Sequence, residues 1–201
     1  MNPDGSNVRQ VTRGLGQNIH PMWSPNSSRI LFNTTRFTEQ VQKDDKTSDE
    51  RRVIGEKRDN SIDLATVRLE GSDLQRITHG GGYTYASFSP DGKWILYRRQ
   101  QDEVSQVFVM NSKGSSDHNL SGASTLDGWP SWSPDGNKIV FSSHVQNGYQ
   151  VFVMNRDGTG VRQLTDAAGE FVNPRWSPDA TKILCGSRLG GISLALFDAP
   201  N

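Results

Sequence analysis

Residues 132–165 read WSPDGNKIVFSSHVQNGYQVFVMNRDGTGVRQLT, and the parts of this stretch recur along the chain. An aromatic residue followed by Ser-Pro occurs four times, and the last three copies are 44 residues apart; the aromatic residues are Trp23, Phe88, Trp132 and Trp176. A repeat of this length is one supersecondary unit that buries its apolar faces by stacking on its neighbours. The chain is therefore predicted to be a repeat array.

Each repeat unit has the pattern of a four-stranded antiparallel meander. Two runs, 138–143 and 149–155, are rich in Val, Ile, Phe and Tyr and are bounded by turn residues, as β-strands are. Pro134 and Gly136 favour a tight turn before the first run, and the Asp-Gly pair at 157–158 favours a hairpin after the second. The predicted strands are A (128–132), B (138–143), C (149–154) and D (161–165). Units of this kind predict an all-β propeller with about four blades.

The order of the motifs within the unit resembles a known repeat. WSPDG is followed by K-I-x-F-S-S, by a Phe-V-M-N-x-D-G run and by R-Q-L-T. Together they resemble the WD40-like (PD40) repeat of the TolB propeller family, and the resemblance covers most of the chain. It implies a bacterial propeller, usually exported, that receives periplasmic and outer-membrane proteins as partners.

Length and charge limit the classes of function. The 201 residues fit a single propeller domain over 1–201, and the formal net charge is zero, which disfavours binding to nucleic acid. The chain has one cysteine, Cys185, so it forms no internal disulfide, and it has no apolar run long enough to insert in a membrane. No signal peptide is recognisable in MNPDGSNVRQVT. We expect a periplasmic protein if the chain is a truncated TolB-like protein and a cytoplasmic one otherwise.

The two ends of the chain look complementary. Residues 1–12 align with 154–165, so the chain begins with a strand D, whereas the last unit ends after its strand C at 192–197. We predict that 7–12 pairs with 192–197 and closes the fourth blade, because closure protects the edges of propeller sheets. The alternative is an incomplete ring, either truncated or completed by a second copy in a homo-oligomer.

One unit carries an insertion. Ser24 and Ser89 are 65 residues apart, and the excess falls at 36–60, between strands B and C of the first blade. This segment, RFTEQVQKDDKTSDERRVIGEKRDN, is dense in charge and poor in apolar residues, which predicts a mobile loop. Long loops of this kind are often functional, so we assign binding to the face that carries it.

Two sets of residues are candidates for binding on that face. The first set, expected to ring the central funnel, precedes each Ser-Pro aromatic by three positions and comprises His20, Tyr85, Trp129 and Asn173. The second set follows each strand B and comprises Arg36, Gln100 with Arg98 and Arg99 before it, His144 and Arg188. From this set Arg36, Arg99, His144 and Arg188 are the predicted binding residues. The funnel residues line either a ligand pocket or a solvent-filled channel. The rim residues either receive a carboxylate or peptide terminus or are solvated charges at strand ends.

The motifs favour binding over catalysis. The sequence has no H-E-x-x-H, no G-x-S-x-G, no phosphate loop and no C-x-x-C, so we predict no cofactor, no metal and no catalytic residue. The predicted function is non-catalytic binding of a protein or peptide. Two alternatives stay open: a metal-dependent lyase of acidic oligosaccharides with His20 and His144 on the metal, or the substrate-gating propeller of a prolyl-oligopeptidase-like peptidase.

Limited proteolysis tests the insertion. Ordering 25 residues with few apolar anchors costs more conformational entropy than their contacts return, so trypsin should cut first within 36–60. The sites within it include Lys43, Lys46, Arg51, Arg52, Lys57 and Arg58. Mass spectrometry of the first fragments identifies the cut, and a first cut outside this segment would contradict the prediction.

Overall fold

The fold is all-β, as predicted. The computed structural model describes residues 4–14, 16–37, 62–122, 126–146, 148–166, 168–188 and 193–200. These residues form 15 strands in four antiparallel sheets. No helix suited to crossing a membrane occurs in these ranges. Most of the predicted insertion, residues 38–60, lies outside them.

Each sheet is one blade and follows chain order from strand A outward. Blade 1 contains β1 Asn18–Trp23, β2 Arg29–Thr34, β3 Asp63–Arg68 and β4 Gln75–Arg76. Blade 2 contains β5 Tyr83–Phe88, β6 Trp94–Gln101, β7 Val104–Asn111 and β8 His118–Asn119. Blade 3 contains β9 Asp127–Trp132, β10 Lys138–Val145, β11 Gly148–Asn155 and β12 Arg162–Gln163. Blade 4 contains β13 Phe171–Trp176, β14 Lys182–Ser187 and β15 Ser193–Asp198.

The fourth strand of a blade is shorter than its sequence predicts. In blade 3 it covers only Arg162–Gln163, where the sequence predicts 161–165. The rest of that run stays bonded to β11, since the amide of Leu164 donates to the carbonyl oxygen of Val151 at 2.7 Å and Thr165 Oγ1 accepts from the amide of Val151 at 2.9 Å. The side chain of Leu164 packs into the apolar cluster shared by blades 3 and 4. Outer strands are therefore divided between pairing within a blade and packing between blades.

The Ser-Pro turn is a small hydrogen-bonded unit present in every blade. In blade 3 the hydroxyl of Ser133 donates to Asp135 and accepts from the amide of Lys138 at 2.9 Å. Asp135 also accepts from the amide of Asn137 at 3.0 Å. The same bonds form at Ser89 and Ser177, and at Ser24 an asparagine replaces the aspartate. Serine and aspartate thus join strands A and B and satisfy amides that the hairpin leaves unpaired.

Apolar residues between successive blades form the core. One cluster joins blades 1 and 2 around Leu31, Ile95 and Tyr97, and a second joins blades 2 and 3 around Leu96, Val107 and Phe141. A third joins blades 3 and 4 around Val140, Val151, Phe171, Ile183 and Cys185. The buried position of Cys185 agrees with its expected role as a small apolar side chain.

The predicted pairing of the N-terminal strand with blade 4 is not found among the described residues. Blade 4 has three strands there, and residues 9–13, the N-terminal segment, lie against blade 1 instead. Val11 packs on Phe32 and Val67, and Arg9 donates to the carbonyl oxygen of Leu69 at 2.6 Å. The physical reason is that blade 1 has an apolar outer face, which the N-terminal segment partly covers.

Replacing Ser133 with alanine tests the turn unit. Ser133→Ala leaves the amide of Lys138 without a partner and removes one of the hydrogen bonds that the carboxylate of Asp135 accepts, so the free energy of unfolding should fall by about 1–2 kcal/mol. In a domain of this size the melting temperature should fall by several degrees. Ser142→Ala is the matched control, because the fully buried hydroxyl of Ser142 has no partner in the described structure and its loss should be nearly neutral. Equal effects of the two variants would contradict the prediction.

Asp179 provides a pH test of the same turn. The Ser177 hydroxyl, the Thr181 amide and the Thr181 hydroxyl lower the pKa of Asp179 to about 2. Because this pKa lies below the unfolded value, the carboxylate stabilises the fold fully above about pH 4, and its contribution is lost as pH falls towards 2. Ser177→Ala should raise the pKa of Asp179 more than Thr181→Val, as measured by NMR titration of the carboxyl carbon. An unchanged pKa in Ser177→Ala would refute the assignment.

Candidate functional site

A β-bulge in each innermost strand places the predicted funnel residues. In β1, Ile19 pairs with Asn33 and Met22 with Leu31, so two residues of β1 face one residue of β2. The same shift occurs in β5, β9 and β13. The first bulged residue has a left-handed backbone in every blade, with φ of 49° at His20, 52° at Tyr85, 51° at Trp129 and 58° at Asn173. This conformation is strained for large side chains and is often found at functional sites.

The bulges bring aromatic rings from three blades together. The ring centroids are 4.5 Å apart for His20 and Tyr85 and 5.8 Å apart for Tyr85 and Trp129. Trp129 lies 5.3 Å from Tyr149 at the start of β11, and Tyr149 lies 5.1 Å from His144 at the end of β10. We call these five residues the aromatic row. Four of the eight predicted site residues belong to it.

Arg98 lies against the middle of the aromatic row. Its guanidinium carbon is 4.9 Å from the ring centre of Tyr85, and its Nε donates to Thr84 Oγ1 at 2.9 Å. Burial lowers the pKa of Arg98, and the neighbouring Tyr85 and Tyr149 oppose that shift. Arginine stays charged even so, because its pKa starts above 12. A half-buried, permanent positive charge therefore sits at the centre of the row.

Arg98 has no acidic partner within the described parts of the chain. Arg175 of β13 likewise forms no ion pair there, and it interacts electrostatically with Tyr85 from the blade 4 side. Burial raises the pKa of Tyr149, so its hydroxyl stays protonated and can donate a hydrogen bond. The row thus combines apolar ring faces with positive charge and a hydroxyl donor, which suits a ligand bearing both a ring and a carboxylate.

The structure places the other predicted rim residues away from the row. Arg99 points to the opposite face of blade 2, where it stacks near Tyr83 and Phe108 and approaches Asp117 at 3.4 Å. Arg188 pairs with Glu170 at 3.0 Å. Arg36 lines the groove between the N-terminal segment and blade 1.

Asn173 is exposed, and although it has the same bulge as the others, no ring contact joins it to the row in the described structure. Asn173 therefore completes the set of bulge residues without adding to the aromatic surface.

Arg175 and Tyr149 belong to the site but are absent from the predicted sets, and Arg98 belongs to it although Arg99 is the predicted binding residue of that pair. Arg98 and Arg99 are adjacent, and strand alternation sends them to opposite faces of blade 2. The pairing of Arg98 with Thr84, which precedes the bulge, decides that Arg98 is the residue facing the row. A sequence cannot show that register, although the repeated unit does place Tyr149 at the start of a strand C.

The histidines do not assemble a metal site in the described residues. His20 and His144 lie at opposite ends of the aromatic row, with three rings between them. No group of three or more His, Cys, Asp or Glu side chains suited to a metal occurs in the parts of the chain that the structure describes.

The aromatic row faces the edge from which the insertion leaves. Thr34 and Asp63 form the last pair of β2 and β3, directly before and after that connection. The equivalent connection in blade 3 joins β10 to β11, and it is flanked by His144 and Tyr149 of the row. The row therefore lies at the end of the blades where strands B and C connect, the same end as Thr34 and Asp63 in blade 1.

Comparison with solved structures supports the fold. TolB from Acinetobacter baumannii superposes with a TM-score of 0.72 at 20% identity, covering 98% of this chain and 44% of that one. Puromycin hydrolase superposes with a TM-score of 0.72 at 16% identity, covering 98% of this chain and 32% of that one. An oligogalacturonate lyase in complex with manganese superposes with a TM-score of 0.59 at 12% identity, covering 94% of this chain and 67% of that one.

The chain thus has the fold of the TolB-like β-propellers and spans less than half the length of that TolB. A scan against protein-family models finds no match.

Proposed function

We propose that this chain is a non-catalytic propeller domain that binds a protein or peptide partner on the face carrying the aromatic row and the insertion. The observation that carries the proposal is Arg98, a half-buried guanidinium stacked on Tyr85 without an acidic partner in the described residues. Burying a charge without a counter-ion is unfavourable, and a ligand carboxylate would relieve that cost.

The rings on either side of Arg98 define the rest of the ligand. Tyr85 and Trp129 are both half-buried and present ring surface from two blades. A flat or apolar side chain packed on these rings would gain binding energy from buried area and from ring stacking. A peptide with an aromatic or aliphatic side chain next to an acidic residue or a free C-terminus combines both requirements.

Binding accounts for the described site better than the two alternatives do. A metal-dependent lyase needs its metal ligands close together, whereas His20 and His144 are separated by the length of the row. A gating role in a peptidase shares the propeller fold but requires no particular chemistry at Arg98. The partner-binding proposal uses both the charge and the rings.

Peptide selection followed by matched arginine variants tests the proposal. A random peptide library displayed on phage, with free C-termini, is panned on the immobilised protein, and selected peptides are synthesised for titration by isothermal titration calorimetry. We expect the selected peptides to share an acidic group beside an apolar side chain. Arg98→Gln should weaken their binding by about 10- to 100-fold, since a hydrogen bond to a charged group contributes about 1.5–3 kcal/mol.

Arg99→Gln is the matched control, because Arg99 is the neighbouring residue on the opposite face and approaches Asp117 instead of the row. Its affinity for the same peptides should equal that of the unsubstituted protein. If Arg99→Gln weakens binding as much as Arg98→Gln, or if no selected peptide depends on Arg98, the site is not the aromatic row.

A further inference from the structure

The outer face of blade 4 exposes leucines at positions that are buried in every other blade. Leu184 is 42% exposed, although the residues at its position in blades 1, 2 and 3 are fully buried by the following blade. Those three equivalents are Leu31, Leu96 and Val140. Leu184 therefore faces the place where a following blade would pack.

Two leucines of β15 show the same difference. Leu194 is 74% exposed, and Leu196, which pairs with Leu184, is 63% exposed. Their equivalents in the other blades are at most 7% exposed: Leu64, Val107 and Val151 for Leu194, and Thr66, Val109 and Val153 for Leu196. The three leucines form an apolar patch on a sheet face that nothing covers in the described structure. The outer edge of β15 also has no neighbouring strand there.

The opposite end of the array carries the other half of such an interface. Trp23 is 61% exposed, whereas Trp132 at the same position in blade 3 is 8% exposed because it packs against blade 2. By this equivalence, Trp23 faces the place of a preceding blade.

The N-terminal segment occupies the position of the outermost strand of that preceding blade. Val11 packs on blade 1 as Leu164 packs on blade 4. A Cβ atom on Gly71 would lie 2.6 Å from the carbonyl oxygen of Val11, and one on Gly114 would lie 2.6 Å from that of Ile77. The same close approach therefore recurs where a real outer strand contacts the next blade.

We propose that a second copy of this chain completes blade 4, with its N-terminal segment as the fourth strand and its blade 1 against the leucine patch. The pairing of Val153 with Arg162 sets the register, which places Arg9 of the second copy opposite Leu196 of the first. The contact is head to tail, so each copy uses two different surfaces.

A second copy fits because this chain carries both halves of the interface that it already uses three times internally. An unrelated partner would have to supply an edge strand in register together with an apolar sheet face behind it. The contact would pair the edge of β15 and cover the leucines, which are otherwise a liability for uncontrolled association.

Cysteine pairs between chains test the register directly. Arg9→Cys and Leu196→Cys proteins are mixed and oxidised, and each has only the buried Cys185 as a further thiol. Because each chain carries one half of the pair, a disulfide can form only between copies. Thr66→Cys/Gln75→Cys within one chain is the matched positive control, since these residues form the equivalent pair in blade 1. We expect a covalent dimer in a yield similar to that of the control disulfide.

Two results of this crosslinking experiment would overturn the proposal. One is a mixture that stays monomeric while the control oxidises. The other is a double variant, Arg9→Cys/Leu196→Cys, that crosslinks within a single chain, which would show that the ring closes on itself.

Sedimentation of leucine variants tests the patch independently. The unsubstituted protein should sediment with a mass of at least twice its 22.3 kDa chain mass. The double variant Leu194→Lys/Leu196→Lys should sediment with the mass of a single chain and keep its β-sheet circular dichroism. Val161→Lys, which changes an exposed apolar residue outside the patch, should leave the mass unchanged. A single-chain mass for the unsubstituted protein refutes the second-copy proposal.

Discussion

The structure depends on one constraint: the inner blades are apolar on both faces, so each blade must be covered by a neighbour on either side. Ile139 and Val140 are consecutive in β10, yet one packs towards blade 2 and the other towards blade 4. A sheet with two apolar faces is not stable alone in water, and repeat folds bury both faces by stacking each unit between its neighbours. The constraint also explains why the exposed leucines lie on the terminal blade.

The Ser-Pro turn and the bulge have different roles within each blade. The turn bonds strands A and B at one end through a serine hydroxyl and a short acidic or amide side chain. The bulge lies in the first half of strand A, where one residue has a left-handed backbone conformation. The bulge redirects the side chain of that residue towards the middle of the array. The repeated turns thus belong to the scaffold, whereas the varied bulge residues are available for recognition.

The repeat pattern locates the bulge residues of the site but not the arginine that faces them. Aligning the blades identified His20, Tyr85 and Trp129 because each lies three residues before the aromatic residue of a repeated Ser-Pro turn. The alignment placed Arg98 and Arg99 together in the rim but favoured Arg99, since the choice depends on which face of β6 each residue occupies. A shift of one residue in strand register exchanges the two faces, so this choice is made by tertiary packing.

The sequence by itself determined the blade boundaries, the strand order and the turn chemistry. These follow from local rules: side-chain alternation, Asp-Gly hairpins and a 44-residue period. Only the tertiary structure decided where the N-terminal segment lies, because its sequence suits the outer strand of any blade. The apolar face of blade 1 holds it through Val11 and Phe32, and that contact is a matter of packing between segments distant in the chain, which no local pattern specifies.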